Sequence, residues 1–138
     1  MRYKVGAFRI EADEDLNQME VNRKDGYSTP KSTCVHAQQY VEKMLKEKIV
    51  ELGDDQPPPI HNLNSLLSIV EEMQGCEAPE DISIYASTLN SYYIHMRYPG
   101  PTPAEATPEM AEVAHSYAIR VVAWLTELEV GEQHDIAK

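Results

Sequence analysis

One stretch of the sequence, His36 to Lys46, gathers several side chains that could bind a ligand. At 100° per residue, one side of a helix over this stretch carries an imidazole, an amide, a phenol and an ammonium group, and the other side is apolar. The polar side holds His36, Gln39, Tyr40, Lys43 and Glu47, and the apolar side holds Cys34, Ala37, Val41, Met44, Leu45 and Leu52. A mixed polar stripe is common on solvated or packed helices, so it has two interpretations, a helix surface without a ligand or a binding face.

Two further regions place a polar side chain at the end of a predicted helix. Arg97 ends one helix, where its guanidinium could contact a phosphate or a carboxylate, or could satisfy the last helix carbonyls. His61 precedes another helix, where free N–H groups favour an anion, although it could also act in capping and loop packing. The rings of Tyr92 and Tyr98 could stack on a base or lie in a subunit interface. The candidate ligand-binding residues are thus His36, Gln39, Lys43, His61, Arg97 and Tyr98.

The sequence contains no spacing typical of a metal site or of a catalytic triad. The five histidines show no paired spacing with each other, and they are His36, His61, His95, His115 and His134. Cys34 and Cys76 lie far apart and are expected to be reduced thiols of the core type. Neither a Gly-rich phosphate loop nor a local Ser-His-Asp or Cys-His signature is present. We therefore predict no metal, no cofactor and no catalytic residue, which favours a binding protein over an enzyme.

The hydrophobic pattern predicts five helices and no strand, because apolar residues recur at helical spacing and no alternating run is bounded by hairpin signals. The predicted helices cover about 5–24, 30–52, a shorter stretch from 63 to about 75, about 80–97, and about 108–131. Thr29, Asn62 and Thr107 are predicted N-caps. Short connections favour an antiparallel up-and-down bundle. The chain is predicted to be one domain over 1–138, with an ordered core over about 5–130 and a frayed tail over 131–138.

Composition limits the partners and the compartment. The chain has 12 Lys plus Arg against 23 Asp plus Glu, and its formal net charge is −11. This charge disfavours non-specific binding of long nucleic acids, although a local basic site remains compatible with it. The first residues lack the apolar run of a signal peptide, and no window offers about 18 uninterrupted apolar residues. We expect a cytoplasmic protein that does not enter the membrane.

Several short motifs in a fixed order resemble one known family. They are His36-Ala37-Gln38-Gln39, Glu42-Lys43, Lys46, His61, Tyr92-Tyr93 and Arg97-Tyr98-Pro99. Together they resemble the HEPN (higher eukaryotes and prokaryotes nucleotide-binding) domain family, over most of the chain. The resemblance implies an all-α up-and-down bundle that often dimerises. It also implies a nucleotide as ligand and a small nucleotidyltransferase as partner, and some bacterial members act as toxins or as RNases.

The sequence departs from the RNase members of that family at one position. Those members carry an Arg that is followed about four to six residues later by a His. Here Arg97 matches the Arg, but the candidate positions hold Thr102, Pro103 and Ala104. Attack by a 2′-hydroxyl needs a group that moves a proton near neutral pH, and His is the side chain suited to this. We therefore hypothesise that the protein is not a metal-independent RNase.

Three functional hypotheses follow. The first is a HEPN-like binding module, a homodimer that binds a nucleotide or an associated nucleotidyltransferase in a system of the toxin–antitoxin kind. Its binding surface would include His36, Gln39, Lys43 and Arg97. The second is a nuclease in which Arg97 stabilises phosphate charge and His36 or His61 carries the proton. The third is a structural dimerisation domain without a ligand.

Overall fold

The computed structural model describes the backbone of residues 2–97 and 105–136 and the side chains of residues 2–96 and 105–128. Over this part of the chain it contains five helices and no strand. The helices are α1 (Ala7–Lys24), α2 (Pro30–Glu51), α3 (Leu63–Gln74), α4 (Glu80–Arg97) and α5 (Pro108–Ile136). The predicted all-α bundle of about five helices is confirmed. Two of the candidate site groups, Tyr98 and the side chain of Arg97, lie outside the described part.

Two side-chain caps and one glycine conformation set both ends of α3 and the start of α5. The side chain of Asn62 accepts a hydrogen bond from the backbone N–H of Ser65 at 3.0 Å, which caps the start of α3. The hydroxyl of Thr107 accepts one from the N–H of Met110 at 3.1 Å, which caps the start of α5. Gly75 has φ +75°, a conformation that glycine adopts without strain, and it ends α3. These three predictions are confirmed.

One helix boundary and one capping contact in the first half of the chain differ from the prediction. The first helix begins at Ala7, because Gly6 at φ +95° lies in the left-handed region. The helix α2 begins at Pro30 as predicted, but the side chain of Thr29 does not cap it. The Thr29 hydroxyl instead donates to Oδ1 of Asn22, at 3.4 Å, and so contacts α1. The prediction of a Thr29 cap was therefore wrong.

The last helix is longer than predicted. It continues past Gly131 to Ile136, whereas the sequence pattern predicted an end near Gly131. A glycine inside a helix costs roughly 1 kcal/mol relative to alanine, which disfavours the helix at that point without ending it. No helix of the described residues, α5 included, combines the length and the apolar character needed to cross a membrane.

The helix α2 is the centre of the bundle, because it packs against α1, α3, α4 and α5. On its predicted apolar face five residues are buried and Leu52 is half-buried, the five being Cys34, Ala37, Val41, Met44 and Leu45. The opposite face is not a free surface, since Tyr40 and Glu47 are buried there. His36, Gln39 and Lys43 are half-buried. This face is covered in part because α1 packs along it, so the polar side chains must find partners within the bundle.

The two thiols differ in burial, and both are free. Cys34 is fully buried in the core, and burial raises the pKa of its thiol to about 11. A thiol in that environment is unreactive at neutral pH. Cys76 is exposed just after α3, so the expectation of a core thiol was wrong for this residue. It follows Gly75, whose left-handed conformation ends the helix and turns the chain outward.

Candidate functional site

A buried carboxylate on α1 joins two of the predicted site residues. Asp15 is buried against α2, and each of its oxygens contacts a different side chain. Nζ of Lys43 donates to Oδ2 at 2.7 Å, and Nδ1 of His36 lies 2.7 Å from Oδ1. Both distances are typical of short, charge-assisted hydrogen bonds. His36 and Lys43 reach the same carboxylate because they lie two helical turns apart on one face of α2.

The contact with Asp15 fixes the orientation of the His36 ring. An ionised carboxylate only accepts hydrogen bonds, so Nδ1 of His36 carries the hydrogen and donates a hydrogen bond to Asp15. Among the described residues, Nε2 of His36 has no hydrogen-bond partner. The His36 side chain is 34% exposed, so this nitrogen is open to a ligand from the solvent. A histidine held by a carboxylate in this way is positioned to bind a ligand or to move a proton.

A second buried carboxylate repeats this arrangement on another side of α2. Nζ of Lys46 donates to Oε2 of Glu42 at 3.2 Å. Nδ1 of His61 lies 3.1 Å from Oε1 and 3.2 Å from Oε2 of the same Glu42. The side-chain amide of Gln38, which is fully buried, also donates to Oε1 at 3.2 Å. Each of the two carboxylates therefore contacts one lysine and one histidine.

The start of α3 places His61 beside α2. The carbonyl of His61 accepts a hydrogen bond from the Gln38 amide at 2.9 Å. Two residues later, the backbone N–H of Leu63 donates to the side chain of Asn90 on α4, at 2.9 Å. The His61 side chain itself is 68% exposed. The backbone at the start of α3 is thus held from two helices, while the imidazole faces solvent.

The amide of Gln39 extends the Glu42 cluster towards the Asp15 cluster along α2. Its Nε2 donates to Oε1 of Gln38 at 2.7 Å, and Gln38 in turn donates to Glu42. Gln39 also precedes Lys43 by one helical turn. We call these two neighbouring clusters together the α2 polar band, and it comprises His36, Gln38, Gln39, Glu42, Lys43 and Lys46 of α2 with Asp15 and His61.

The structure brings four of the six predicted site residues into the α2 polar band, and these are His36, Gln39, Lys43 and His61. Arg97 ends α4 at the backbone level, and its side chain and Tyr98 lie outside the described residues. Tyr92 is half-buried on α4, and burial raises the pKa of its hydroxyl.

Sequence reasoning missed both carboxylates of the band. Asp15 is buried, whereas its acidic neighbours Glu11, Asp13 and Glu14 on α1 are exposed. The signal was present, because Asp15 lies three residues after the buried Ala12 and four before the buried Met19, on the inward face of α1. Glu42 gave no comparable signal on its own, since it lies between the predicted apolar and polar faces of α2.

The charges of the α2 polar band determine what it can bind. Lys43 is paired with Asp15 and Lys46 with Glu42, so each pair carries no net charge. The remaining polar groups of the band are the two imidazoles and the amides of Gln38 and Gln39. Lys43 is 22% exposed and Lys46 is 10% exposed, which makes Lys43 the more accessible ammonium. The pair of His36 with Lys43 therefore has the more accessible ammonium, and the pair of His61 with Lys46 has the more exposed imidazole.

A separate hydrogen-bonded chain surrounds the buried His115 on α5. Its Nε2 lies 3.2 Å from Oε1 of Glu20, and its Nδ1 lies 2.9 Å from the hydroxyl of Tyr27. The Glu20 carboxylate also accepts from Nε of Arg23 at 3.0 Å, and this contact lowers its pKa. Since the carboxylate only accepts, Nε2 of His115 donates to Glu20 and Nδ1 accepts from Tyr27. The chain ties the end of α1 and the following turn to α5.

The burial of His115 predicts a loss of stability in mild acid. Burial lowers the pKa of His115, and the Glu20 carboxylate opposes this effect only in part. The unfolded chain therefore binds more protons near the ordinary histidine pKa of about 6.5. The contribution of His115 to the free energy of unfolding is present above that pH and is lost as the pH falls through the lowered pKa of the folded state. Urea unfolding at pH 7.5 and 5.5 measures this effect. The free energy of unfolding should decrease less between these pH values for His115→Gln than for the wild type, and an equal decrease would contradict this prediction.

In the part of the chain whose side chains are described, no three His, Cys, Asp or Glu residues converge in a way that could hold a metal ion. The histidines of the α2 polar band each contact a single carboxylate, and that carboxylate is already bound to a lysine.

A family model and two solved structures are similar to this chain. A family model described as HEPN domain matches residues 7–128. The crystal structure of TT1696 from Thermus thermophilus is similar, with a TM-score of 0.76 and 27% identity over 90% of this chain and 97% of that chain. The crystal structure of ST0689, an archaeal HEPN homologue, shares the fold with a TM-score of 0.67 and 24% identity, over 92% of this chain and 98% of that chain. No functionally curated protein matches this sequence.

Proposed function

Because this chain belongs to the HEPN domain family, we propose that it is a helical module that binds a nucleotide through the α2 polar band. The observation that carries this proposal is the contact of His36 and Lys43 with one buried carboxylate, which holds an imidazole and an ammonium side by side. Both groups donate hydrogen bonds to phosphate oxygens, the imidazole when it is protonated. Gln39 adds an amide on the same face, and Arg97 completes the proposed ligand set.

Titration calorimetry with ATP and GTP, with and without magnesium, tests this proposal. The wild type should bind at micromolar concentrations. Lys43→Met should weaken binding about tenfold or more, because it removes one charge-assisted hydrogen bond to phosphate. Lys31→Met is the matched control, since Lys31 is exposed at the start of the same helix. Circular dichroism verifies that both variants fold, and equal affinities for the two variants would contradict a site at Lys43.

The proposed partner protein is a small nucleotidyltransferase encoded with this chain in a system of the toxin–antitoxin kind. Family membership supports this partner, and the net charge of −11 favours docking to a basic protein surface over gripping a long nucleic acid. Co-purification from the native host tests the proposal. Recovery of the chain without any nucleotidyltransferase, at both low and moderate salt, would contradict it.

The proposed module lacks metal-independent RNase activity, because no His follows Arg97 at the spacing that those enzymes use. A second candidate function is favoured by the Asp15–His36 contact, which also suits His36 to carry a proton in a nuclease. Incubation of the purified protein with RNA separates the two candidates. Intact RNA supports the binding module, whereas cleavage that is lost in both Arg97→Ala and His36→Asn supports the nuclease.

The proposed homodimer would form through the outer face of α4. This face is exposed and, beyond Glu80 in its first turn, carries no Asp, Glu, Lys or Arg among the described side chains. It consists of Ser83, Ile84, Ser87, Ser91, Ile94 and His95. Ile84 and Ile94 are each more than half exposed. Because two copies of a strongly acidic chain repel each other, they meet most favourably where neither presents a charge.

Sedimentation velocity tests the dimer. The wild type should sediment as a dimer, and Ser91→Glu should shift it towards the monomer because the change places like charges on the shared face. Asn17→Glu, on the exposed side of α1, is the matched control and should leave the dimer intact. A wild type that is monomeric at all accessible concentrations, or a dimer that Ser91→Glu leaves unchanged, would contradict the proposed interface.

A further inference from the structure

We propose that the α2 polar band binds a phosphate dianion, such as the terminal phosphate of a nucleotide, with the uptake of one proton by His36. The inference rests on the proposed nucleotide site and adds the ionisation state in which that site holds its ligand. It follows from the contacts of His36, Asp15 and Lys43 and from the balance of charge around them.

The first step is the position of the available nitrogen. Nδ1 of His36 donates to Asp15 at 2.7 Å, so a ligand can reach only Nε2. In the neutral ring Nε2 bears a lone pair and no hydrogen, and it cannot donate to a phosphate oxygen. A phosphate that approaches Nε2 of neutral His36 would meet a second acceptor and be repelled. Protonation of Nε2 converts this contact into a charge-assisted hydrogen bond.

The second step is the charge of the site. The groups that face His36 are Asp15 from α1 and Lys43 from its own helix, and their charges cancel. The chain as a whole carries a formal net charge of −11, which opposes an anion. Among the described side chains of the α2 polar band, the imidazoles are the groups that become cations by taking up a proton. Binding a dianion at His36 and Lys43 is therefore favoured when His36 becomes an imidazolium.

The third step is the support for that imidazolium. With both ring nitrogens protonated, Nδ1–H still donates to the buried Asp15, and Nε2–H donates to a phosphate oxygen. Asp15 stabilises the positive ring at short range, in a partly buried position where charges are weakly screened. The protonated ring thus has an acceptor on each side, one from the protein and one from the ligand.

Side-chain exposure favours His36 over His61 as the histidine that contacts the phosphate. The His61 side chain is 68% exposed, so solvent screens its charge. Its neighbouring ammonium, on Lys46, is 10% exposed, compared with 22% for Lys43. A ligand phosphate can therefore contact an imidazolium and an ammonium together most readily at His36 and Lys43.

Calorimetry with ATP at pH 7.5, in buffers of low and high ionisation enthalpy such as PIPES and Tris, measures the protons taken up on binding. The wild type should take up about one proton more per bound ATP than His36→Asn does. The terminal phosphate of ATP itself titrates near this pH in both proteins, so the difference belongs to His36. Asparagine is the chosen replacement because its amide nitrogen can still donate to Asp15.

Two further measurements complete the test. The affinity of the wild type for ATP should rise by up to about tenfold per unit decrease of pH below 8, and that of His36→Asn should rise less. Nitrogen NMR of the wild type should show Nε2 of His36 gaining a proton when ATP is added at pH 7.5, a result that does not depend on the folding of any variant. Lys31→Met, at an exposed residue of α2 outside the band, is the control and should match the wild type.

The outcomes separate this inference from the proposed function. ATP binding with equal proton uptake in the wild type and His36→Asn would overturn the inference and leave the nucleotide site in place. Loss of proton uptake in His61→Asn instead of His36→Asn would also overturn it, by placing the phosphate at His61 and Lys46. An absence of ATP binding to the wild type at any pH would overturn both proposals.

Discussion

Replacement of Asp15 by alanine is expected to lower the free energy of unfolding by about 3 kcal/mol, a large fraction of the stability of a domain of this size. The reason is that the change leaves Lys43 without its carboxylate and His36 without its acceptor, beside a new cavity between α1 and α2. Because both partners are partly exposed, water can compensate in part, which places the loss near the lower end of the range for broken buried ion pairs.

Urea unfolding followed by circular dichroism measures this loss. Asp13→Ala is the matched control, since Asp13 is an exposed acidic residue on the same helix, and it should change the stability by less than about 0.5 kcal/mol. The stability of Asp15→Asn should fall between the stabilities of Asp15→Ala and Asp13→Ala, because the amide keeps one acceptor and most of the side-chain volume. Equal stabilities for Asp15→Ala and Asp13→Ala would show that the contact with α2 does not stabilise the protein.

Replacement of Glu42 by alanine should be comparably destabilising, at about 3 kcal/mol. Here the groups left behind are more deeply buried, since Lys46 is 10% exposed and Gln38 is fully buried. The Gln38 amide would lose one of its acceptors, and the Lys46 ammonium would lose its only carboxylate among the described contacts. A buried ammonium without a partner carries a large desolvation cost.

The same unfolding measurement, with Glu72→Ala on the exposed side of α3 as control, tests this expectation. The double variant Glu42→Leu with Lys46→Leu separates the contribution of the ion pair to stability from the contribution of side-chain packing. Since apolar residues of similar size often replace a buried ion pair without loss, the double variant should recover much of the stability lost in Glu42→Ala. If the double variant were less stable than Glu42→Ala, the ion pair itself would be the stabilising element.

These two carboxylates suggest why a central helix carries so many polar residues. A buried ion pair contributes little net stability relative to an apolar pair, but it strongly penalises any arrangement that separates its partners. Asp15 fixes α1 on α2, and Glu42 fixes the start of α3 on α2 through His61. The polar residues of α2 therefore specify how the neighbouring helices pack, and they leave the Nε2 atoms of both histidines available to a ligand.

The fold was largely predictable from the sequence because apolar spacing and capping residues are local signals. The helical period identified all five helices, and Asn62 and Thr107 act as caps as predicted. Thr29 was misjudged, because its hydroxyl contacts Asn22 on another helix, and tertiary contacts are not visible in local sequence. The predicted helix end at Gly131 was wrong because a single glycine is a weak stop signal, and α5 continues through it to Ile136.

The candidate site was only half predictable. Helical geometry placed His36 and Lys43 on one face, which the structure confirms by their shared contact with Asp15. Which acidic residue would meet them depends on how α1 packs on α2, and the pattern of acidic residues on α1 concealed the buried Asp15 among exposed neighbours. The charge balance of the site, and hence the role proposed for His36, follows only from those tertiary contacts.

The most direct test of the central claim is two-dimensional NMR of the isotopically labelled protein during titration with ATP. If the α2 polar band is the nucleotide site, the largest chemical-shift changes should cluster at His36, Gln39 and Lys43 and at Asp15 across from them, and they should saturate with a single affinity. Saturable changes confined to other helices, with this cluster unaffected, would contradict the account.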